Sequence, residues 1–367
     1  MMFELVENLD GLSIGVFGIG GCGCNTVNTI FNEVQNPQTK FYCVNTDKVV
    51  LEHSQSDDFV LIGAELTNGY GAGADPAIGL LAAQESEEQL LTLIESCDIL
   101  LCATGLGGGT GTGASPYIAK LAKDLNKPVI CIATLPFTSE GDFRRKVAEQ
   151  GLDELKQFAN AVVTLPNDQL IEVLGNDIGL FDAFKHSNQI LHSLITSLID
   201  MLCYQGLINV DLRDFQRVMD AQGDAVLGVG KCADESDLQM ALTQALSNPL
   251  VSSVDMSTST GVIVQINCVD EISLGSYNTI MDTVRHQVSP NAVVICGASK
   301  ITSLANNFEI LIIATGAKSQ LIHAKNIDET IPKVEQTTKA KAVVSSQSDI
   351  FDIPAFIRSQ SPAPSGK

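Results

Sequence analysis

Five glycines within seven residues constrain this chain more than any other feature of its sequence. The stretch Gly107 to Gly113 reads GGGTGTG, follows the apolar run Asp98 to Ala103, and precedes a segment of helical character. Glycine frees the backbone to take positive φ and lets a ligand touch the amides directly. The free amides and the dipole at a helix N-terminus attract anions. The order strand, glycine loop, helix therefore predicts a phosphate cradle, with Pro116 near the first turn of the helix.

An ordinary flexible loop is a poor alternative for this stretch. At a usual glycine frequency of about 7 %, five specified glycines arise by chance about once in 10⁶. The loop also lacks the Gly-Lys-Ser/Thr ending of a Walker A motif, so no lysine reaches the phosphates from it. We expect the phosphate charge to be met by amides, by the hydroxyls of Thr110 and Thr112, and by a Mg²⁺ ion held mainly through phosphates and water.

Composition excludes several classes of partner. The 367 residues favour two domains. A net charge of −21 argues against nucleic acid, which is bound through Lys and Arg, and against anionic lipid surfaces. The ten cysteines lie mostly in apolar runs and no signal peptide is recognisable, so we expect reduced thiols in a cytoplasmic protein with no metal held by its own residues. No apolar run approaches the ~20 residues needed to span a bilayer, so we expect no insertion into the membrane.

Two further glycine-rich turns accompany the first. Gly18 to Asn25 follows a short apolar strand, a pattern that is shared with dinucleotide-binding enzymes. Asn45-Thr46-Asp47 stands where such an enzyme carries its ribose-binding acid, which keeps a nicotinamide-dependent oxidoreductase open as an alternative. Gly69 to Pro76 is a third glycine-rich turn that leads into a helix. Three phosphate-type loops favour a nucleoside triphosphate over a dinucleotide.

The remaining pattern predicts an α/β protein in several parts. Strands alternate with helices up to Leu165, which implies a mostly parallel sheet with the ligand across the carboxyl ends of its strands. Apolar residues recur at helical spacing from Asp182 to Tyr204 and predict a long buried helix between two domains. The polar stretch Ala317 to Ser348 predicts a disordered linker, and the apolar island 349–360 beyond it predicts a segment that docks on a partner.

Several motifs occur together in an order that is typical of one protein family. The motifs are Gly105–Gly113, Asn45–Asp47, Gly71–Ala74, Pro136-Phe137 with Glu140-Gly141 and Arg144, Pro166–Asp168, Asp182–Phe184, Asn209-x-Asp211-x-x-Asp214 and Asp352–Phe356. With them the chain resembles the tubulin/FtsZ family of GTPases, and its FtsZ branch more than tubulin.

The resemblance implies a tubulin-like fold with a Rossmann-type parallel-sheet GTPase domain, a long central helix, a second α+β domain that carries a catalytic loop, and a disordered C-terminal tail. We therefore expect a nucleotide-binding domain over 1–179, a connecting helix over 180–205, an α+β domain over 206–316, a linker over 317–348 and a partner-binding tail peptide over 349–367.

The resemblance also implies a site for GTP and GDP. The residues that would hold the α- and β-phosphates are Gly20, Gly21, Gly107, Gly108, Gly109, Thr110, Gly111 and Thr112. The γ-phosphate would be sensed by Ala72, Gly73 and Ala74. Glu140 and Arg144 would contact the ribose and neighbouring groups. The guanine would be framed by Asn25, Asn167 and Phe184, with Gln189 at the position where FtsZ usually has an aspartate that accepts its N–H groups.

Catalysis, by the same resemblance, needs two subunits. Asn209, Asp211 and Asp214 would lie over the nucleotide of the next subunit in a head-to-tail filament, so that GTP hydrolysis depends on assembly. Two aspartates before a helix are equally typical of helix capping. The filament would scaffold the bacterial division ring at mid-cell. Membrane-tethering partners of the FtsA or ZipA type would bind the tail through Asp352, Ile353, Pro354, Phe356 and Ile357.

Three residues depart from the FtsZ pattern. Cys22 stands where glycine is usual, Asp75 replaces an asparagine, and Gln189 replaces the base-reading aspartate. Each change bears on nucleotide binding through bulk, charge or hydrogen bonding. They motivate an alternative function: a divergent FtsZ-like subunit that binds nucleotide with weak or no turnover.

Overall fold

The computed structural model describes residues 12–34, 36–169, 179–203, 206–219, 224–246, 254–301, 304 and 306–319. The expected tail peptide lies outside these residues, as does all of the expected linker except 317–319.

The first half is built on six parallel strands in the order β3-β2-β1-β4-β5-β6. The strands are β1 (Ile14–Ile19), β2 (Thr39–Asn45), β3 (Asp58–Leu61), β4 (Ile99–Gly105), β5 (Val129–Leu135) and β6 (Ala161–Pro166). The helices are α1 (Gly20–Ile30), α2 (Lys48–Glu52), α3 (Ala64–Thr67), α4 (Pro76–Glu85), α5 (Glu87–Glu95), α6 (Thr110–Asp124) and α7 (Asp142–Phe158). The central strands are buried along nearly their whole length, because helices cover both faces of the sheet. The predicted parallel α/β architecture is confirmed.

The long helix α8 (Leu180–Cys203) joins the two halves, as the apolar periodicity predicted. Leu191, Leu194, Ile195 and Leu198 are each at most 1 % exposed. They recur at intervals of three and four residues and so form one broad apolar stripe. This stripe belongs to a core cluster that includes strands of the first sheet as well as residues of the second half.

The second half forms an α+β unit. Its elements are α9 (Leu212–Met219), β7 (Asp224–Cys232), α10 (Leu238–Leu246), β8 (Val254–Asp255), β9 (Gly261–Cys268), α11 (Leu274–Gln287), β10 (Val293–Lys300) and β11 (Phe308–Ser319). The strand order is β10-β9-β11-β7, with β11 antiparallel to both neighbours. A single pairing, Val163 with Ala225, connects β6 to β7.

The last strand extends past the predicted start of the linker. After a shift in register between Ala314 and Ala317, Ala317 pairs with Asp224, and Lys318 pairs with Asp255 of β8. Polar composition predicted a linker from Ala317 onward, but backbone pairing with two neighbouring strands holds residues 317–319 in the sheet. None of the described helices is long and apolar enough to cross a membrane.

Candidate nucleotide-binding site

A cavity of about 410 Å³ lies where β1, β4, β5 and β6 end. Its lining residues are Gly21, Cys22, Asn25, Gly105, Leu106, Gly108, Gly109, Thr110, Gly111, Thr134, Pro136, Glu140, Arg144, Asn167, Phe184, Ser187 and Asn188. The carboxyl edge of a parallel sheet is the usual place for a ligand in α/β proteins. The volume is within the ordinary range of small-molecule sites.

Glycine has different structural roles at different positions in the loops that border the cavity. A Cβ at Gly109 would lie 2.8 Å from the Ala72 Cβ, so this position must be glycine for the two loops to pack. A Cβ at Gly108 or Gly21 would meet no protein atom within 4 Å, and both residues line the cavity. The backbone is therefore open to the cavity at Gly108 and Gly21, and the binding of phosphate there stays a prediction.

The helix after this loop begins earlier than the sequence predicted. Because α6 begins at Thr110, Pro116 lies inside the helix and is buried, rather than near its first turn. Because glycine is a poor helix former, residues 111–113 were predicted to belong to the loop. Close packing overrides that preference, since a Cβ at Gly113 would overlap the carbonyl oxygen of Pro76. The N-terminus of α6 is brought directly to the cavity as a result.

Three of the predicted phosphate-binding residues, Thr112, Gly20 and Gly107, do not line the cavity. Thr112 is 2 % exposed, and its Oγ1 accepts a hydrogen bond of 2.9 Å from the Gly107 N–H. Gly20 and Gly107, both at positive φ, also lie outside the lining. Thr112 therefore fixes the turn that presents Gly108 to the cavity.

The loop predicted to sense the γ-phosphate lies behind the lining. Ala72, Gly73 and Ala74 do not line the cavity, and Ala72 packs toward Gly109, which does. Gly73 and Ala74 have φ of 59° and 60° and are exposed. Asp75, one of the departures from the FtsZ pattern, caps α4: its Oδ1 accepts from the Ala77 N–H at 2.9 Å.

Glu140 and Arg144 meet at the cavity as an ion pair. Arg144 donates from Nη1 to Glu140 Oε2 at 2.6 Å, and Glu140 Oε1 accepts from the Phe137 N–H at 2.9 Å. Arg144 is half exposed, so the pair adds little to stability. Its effect is to orient the one guanidinium and the one carboxylate among the described lining residues.

The start of α8 forms the far wall of the cavity. Phe184 packs edge to face on Phe137, with ring centroids 5.3 Å apart. Ser187 Oγ donates to Asn167 Oδ1 at 3.1 Å, which leaves the amide nitrogen of Asn167 free to donate elsewhere. Asn188 completes this wall.

Gln189, the predicted base-reading residue, is exposed and does not line the cavity. Residues three and four positions after Phe184 share its helix face, whereas the fifth is turned away by about 140°. The structure therefore brings Asn188 to the cavity in place of Gln189. Counting helical turns from Phe184 would have found it.

Cys22, the bulky departure from the FtsZ pattern, lines the cavity and packs against Thr134 and Gly105. Its Sγ lies 3.5 Å from Thr134 Oγ1, and its Cβ lies against Gly105. Burial raises the pKa of the Cys22 thiol, so the group is uncharged at neutral pH. It adds bulk but no negative charge to the cavity.

The predicted catalytic residues lie elsewhere. Asn209 Oδ1 accepts from the Gly206 N–H at 2.5 Å and shapes the loop. Asp211 Oδ1 accepts from the Asp214 N–H at 2.7 Å, and the Asp211 carbonyl accepts from the Phe215 N–H at 2.9 Å. Asp211 therefore caps α9, the alternative that the sequence left open. Within the described residues, the Asp214 carboxylate has no hydrogen-bond or ion-pair partner.

The cavity and the aspartate loop lie at opposite ends of α8. The cavity takes Asn188 from the start of the helix, and the loop follows its end at Cys203. Fifteen residues separate these two positions, which is about 22 Å along the axis. One copy of the chain therefore does not bring its own aspartates to its own cavity.

A parallel sheet with a glycine-lined cavity at its carboxyl edge, linked by a long helix to a second sheet, defines a nucleotide-binding protein of the α/β class. The model of the Tubulin/FtsZ family GTPase domain matches residues 13–175, and that of the FtsZ family C-terminal domain matches residues 223–318. The chain belongs to the Tubulin/FtsZ family of GTPases, as its motifs predicted.

Individual relatives agree with this assignment. The chain is 33% identical to the cell division protein FtsZ of Buchnera aphidicola subsp. Baizongia pistaciae, over 97% of this chain and 99% of the relative. It is 35% identical to the cell division protein FtsZ 1 of Methanocaldococcus jannaschii, over 90% and 93%. The solved structure of an FtsZ dimer from M. jannaschii superposes with a TM-score of 0.77 at 33% identity, over 87% of this chain and 95% of that one. Nothing in these matches favours the divergent, weakly active alternative or an oxidoreductase.

Proposed function

We propose that this chain is an FtsZ-type GTPase that assembles head to tail into filaments, hydrolyses GTP at the junction between subunits, and scaffolds the bacterial division ring. The observation that carries the proposal is the separation of the cavity from the aspartate loop along α8. A contact that joins opposite ends of identical subunits repeats head to tail, and it generates a filament when the repeat does not close into a ring.

The cavity suits a guanine nucleotide. Backbone amides at Gly21, Gly108 and the start of α6 would bind the α- and β-phosphates, with the loop 72–74 at the γ-phosphate. Glu140 and Arg144 would contact the ribose. Asn25, Asn167, Phe184 and Asn188 would frame the guanine, where an amide oxygen accepts from the base N–H groups.

Magnesium fits the shortage of positive charge in this cavity. Arg144 is the single cationic side chain among the described lining residues, and it already pairs with Glu140. A triphosphate would therefore need a divalent cation, which Mg²⁺ supplies when it is bound through phosphates and water. Its chemistry would be to neutralise charge on the phosphates.

Asp214 is the better candidate of the two aspartates for orienting the attacking water. Asp211 already uses one carboxylate oxygen to cap α9, whereas the Asp214 carboxylate is unpaired within the described residues. A carboxylate beside a triphosphate is electrostatically costly, so supplying it from a neighbour couples hydrolysis to assembly.

Exposed apolar side chains near both ends support the head-to-tail contact. Tyr70, beside the loop 72–74, is 90% exposed, and Leu207, beside the aspartate loop, is 95% exposed. Aromatic side chains such as Tyr70 are enriched at protein–protein interfaces. The M. jannaschii FtsZ structure with which this chain superposes is itself a dimer.

The remaining parts of the proposal concern the tail peptide and the location of the protein in the cell. Asp352, Ile353, Pro354, Phe356 and Ile357 would bind membrane-tethering division proteins of the FtsA or ZipA type. The protein would then act in the cytoplasm at mid-cell. These residues lie outside the described part of the chain, so this step depends on the sequence resemblance.

Mixing two impaired variants tests the shared site. Asp214→Ala leaves the cavity intact, and Gly108→Val adds a side chain where the phosphates would bind, with a Cβ that meets no protein atom within 4 Å. Each variant alone should hydrolyse GTP at least about tenfold more slowly than the wild type, while a mixture should recover part of the GTPase activity at junctions that pair an intact cavity with an intact loop. Wild-type specific activity should also rise steeply with protein concentration. A mixture no more active than either variant alone, together with concentration-independent wild-type turnover, would refute the proposal.

A further inference from the structure

Thr46 lies directly after β2 and is fully buried, outside the cavity lining. Its carbonyl oxygen accepts from the Gly71 N–H at 3.1 Å and from Thr67 Oγ1 at 3.3 Å. Its side-chain Oγ1 lies 2.7 Å from Thr110 Oγ1. One residue therefore connects the loop before α4 to the first residue of α6.

The direction of the hydrogen bond between the two threonines follows from burial. Within the described residues, Thr110 Oγ1 is the single hydrogen-bond partner of Thr46 Oγ1. If Thr110 donated, the Thr46 proton would be buried with no acceptor, which is costly. Thr46 therefore donates. The Thr110 proton is then free to point into the cavity, which Thr110 lines.

We propose that Thr46 is a positioning residue for nucleotide binding, whose buried hydroxyl donates to Thr110 and turns the Thr110 proton toward the phosphates. The inference rests on the proposed nucleotide site. It assigns a role to the Asn45-Thr46-Asp47 motif that does not involve contact with the ligand. Thr110 then presents a donor that is already oriented before the phosphate arrives.

The test compares nucleotide affinities at protein concentrations too low for assembly, with fluorescent mant-GDP and mant-GTP as probes. Thr46→Val keeps the shape of the side chain but removes the hydroxyl that orients Thr110, and it should weaken both nucleotides severalfold, up to about the tenfold that one hydrogen bond to a charged group is worth. Thr46→Ser keeps the hydroxyl and should restore affinity. Thr26→Val is the matched control, because Thr26 is equally buried and its hydroxyl donates within α1 to the Cys22 carbonyl.

A double-mutant cycle separates positioning from a structural role. Thr110→Val alone should weaken binding and also strand the buried Thr46 hydroxyl without an acceptor. Adding Thr46→Val should cause no further loss of affinity and should raise the melting temperature above that of Thr110→Val.

Three results would overturn the inference: wild-type affinity in Thr46→Val, additive losses in the double variant, or a Thr46→Val protein that fails to fold while Thr26→Val folds. If the wild-type protein bound neither probe, the proposed function would fail instead. The two failures are therefore distinguishable.

Discussion

Replacing Asn188 by aspartate should sharpen the preference for GTP over ATP. Asn188 lines the cavity on the same helix face as Phe184, so its amide is positioned to meet the edge of the base. The amide offers one acceptor oxygen, whereas a carboxylate offers two acceptors to the N1–H and N2–H donors of guanine. Adenine has no donor at N1 and gains nothing comparable.

The size of the effect follows from hydrogen-bond energetics. A hydrogen bond between neutral groups contributes about 0.5–1.5 kcal/mol, and one to a charged group about 1.5–3 kcal/mol. Asn188→Asp should therefore add about 1.4 kcal/mol of discrimination, which is roughly a tenfold change in the ratio of GTP to ATP affinity. Competition of unlabelled GTP and ATP against mant-GTP, at low protein concentration, measures that ratio.

Gln189→Asp is the matched control, since it introduces the same carboxylate one residue further along α8. Gln189 is exposed and turned away from the cavity, so this variant should leave the ratio unchanged. A shift in the ratio for Gln189→Asp, with none for Asn188→Asp, would show that the helix-face argument is wrong. It would also reinstate the residue that the sequence resemblance indicated.

Three further predictions concern turnover, packing and pH. Asp214→Ala should bind GTP and join filaments but hydrolyse at least about tenfold more slowly, measured as phosphate release; wild-type turnover would contradict the shared site. Gly113→Ala should lower the melting temperature, because its Cβ would overlap the Pro76 carbonyl, while Gly275→Ala in α11, where a Cβ meets only an ordinary contact at 3.9 Å, should not. Burial, and to a lesser extent the charge of Glu309, raises the pKa of Asp200 from 3.8 to about 7. Between these two pH values the folded chain keeps a proton that the unfolded chain loses, so the free energy of unfolding should fall as the pH rises from about 4 to about 7 and should stay low above it. Asp200→Asn should therefore raise the melting temperature at pH 8 more than at pH 5, and an equal change at both would refute this.

Sequence reasoning was sufficient where local pattern and packing agree. The strand, glycine loop and helix around Gly108 were predictable because an apolar run, clustered glycines and a segment of helical character follow one another directly in the sequence. The central helix α8 was predictable because an apolar stripe over 24 residues is a strong periodic signal. Both features depend on neighbours in sequence.

The contacts that could not be predicted from the sequence join residues that lie far apart along the chain. Thr46 meets Thr110 across 64 residues, and Ser187 meets Asn167 across 20. No local pattern records such pairs, since they depend on how the strands are ordered in the sheet. The start of α6 was misplaced for a related reason, because close packing of Gly113 on α4 overrides the low helix propensity of glycine.

The electrostatics of the cavity give a physical reason for two-subunit hydrolysis under the proposed function. Glu140 is the single carboxylate among the described lining residues, and both its oxygens are engaged, by Arg144 and by the Phe137 N–H. Among the described lining residues, an isolated copy therefore has no free carboxylate to repel a triphosphate, and none with which to orient an attacking water. The α8 helix is about 36 Å long, so its aspartate loop cannot fold back to the cavity at the other end. Under the proposed function a second copy would supply the carboxylate, and the rate of hydrolysis would then report how many junctions have formed.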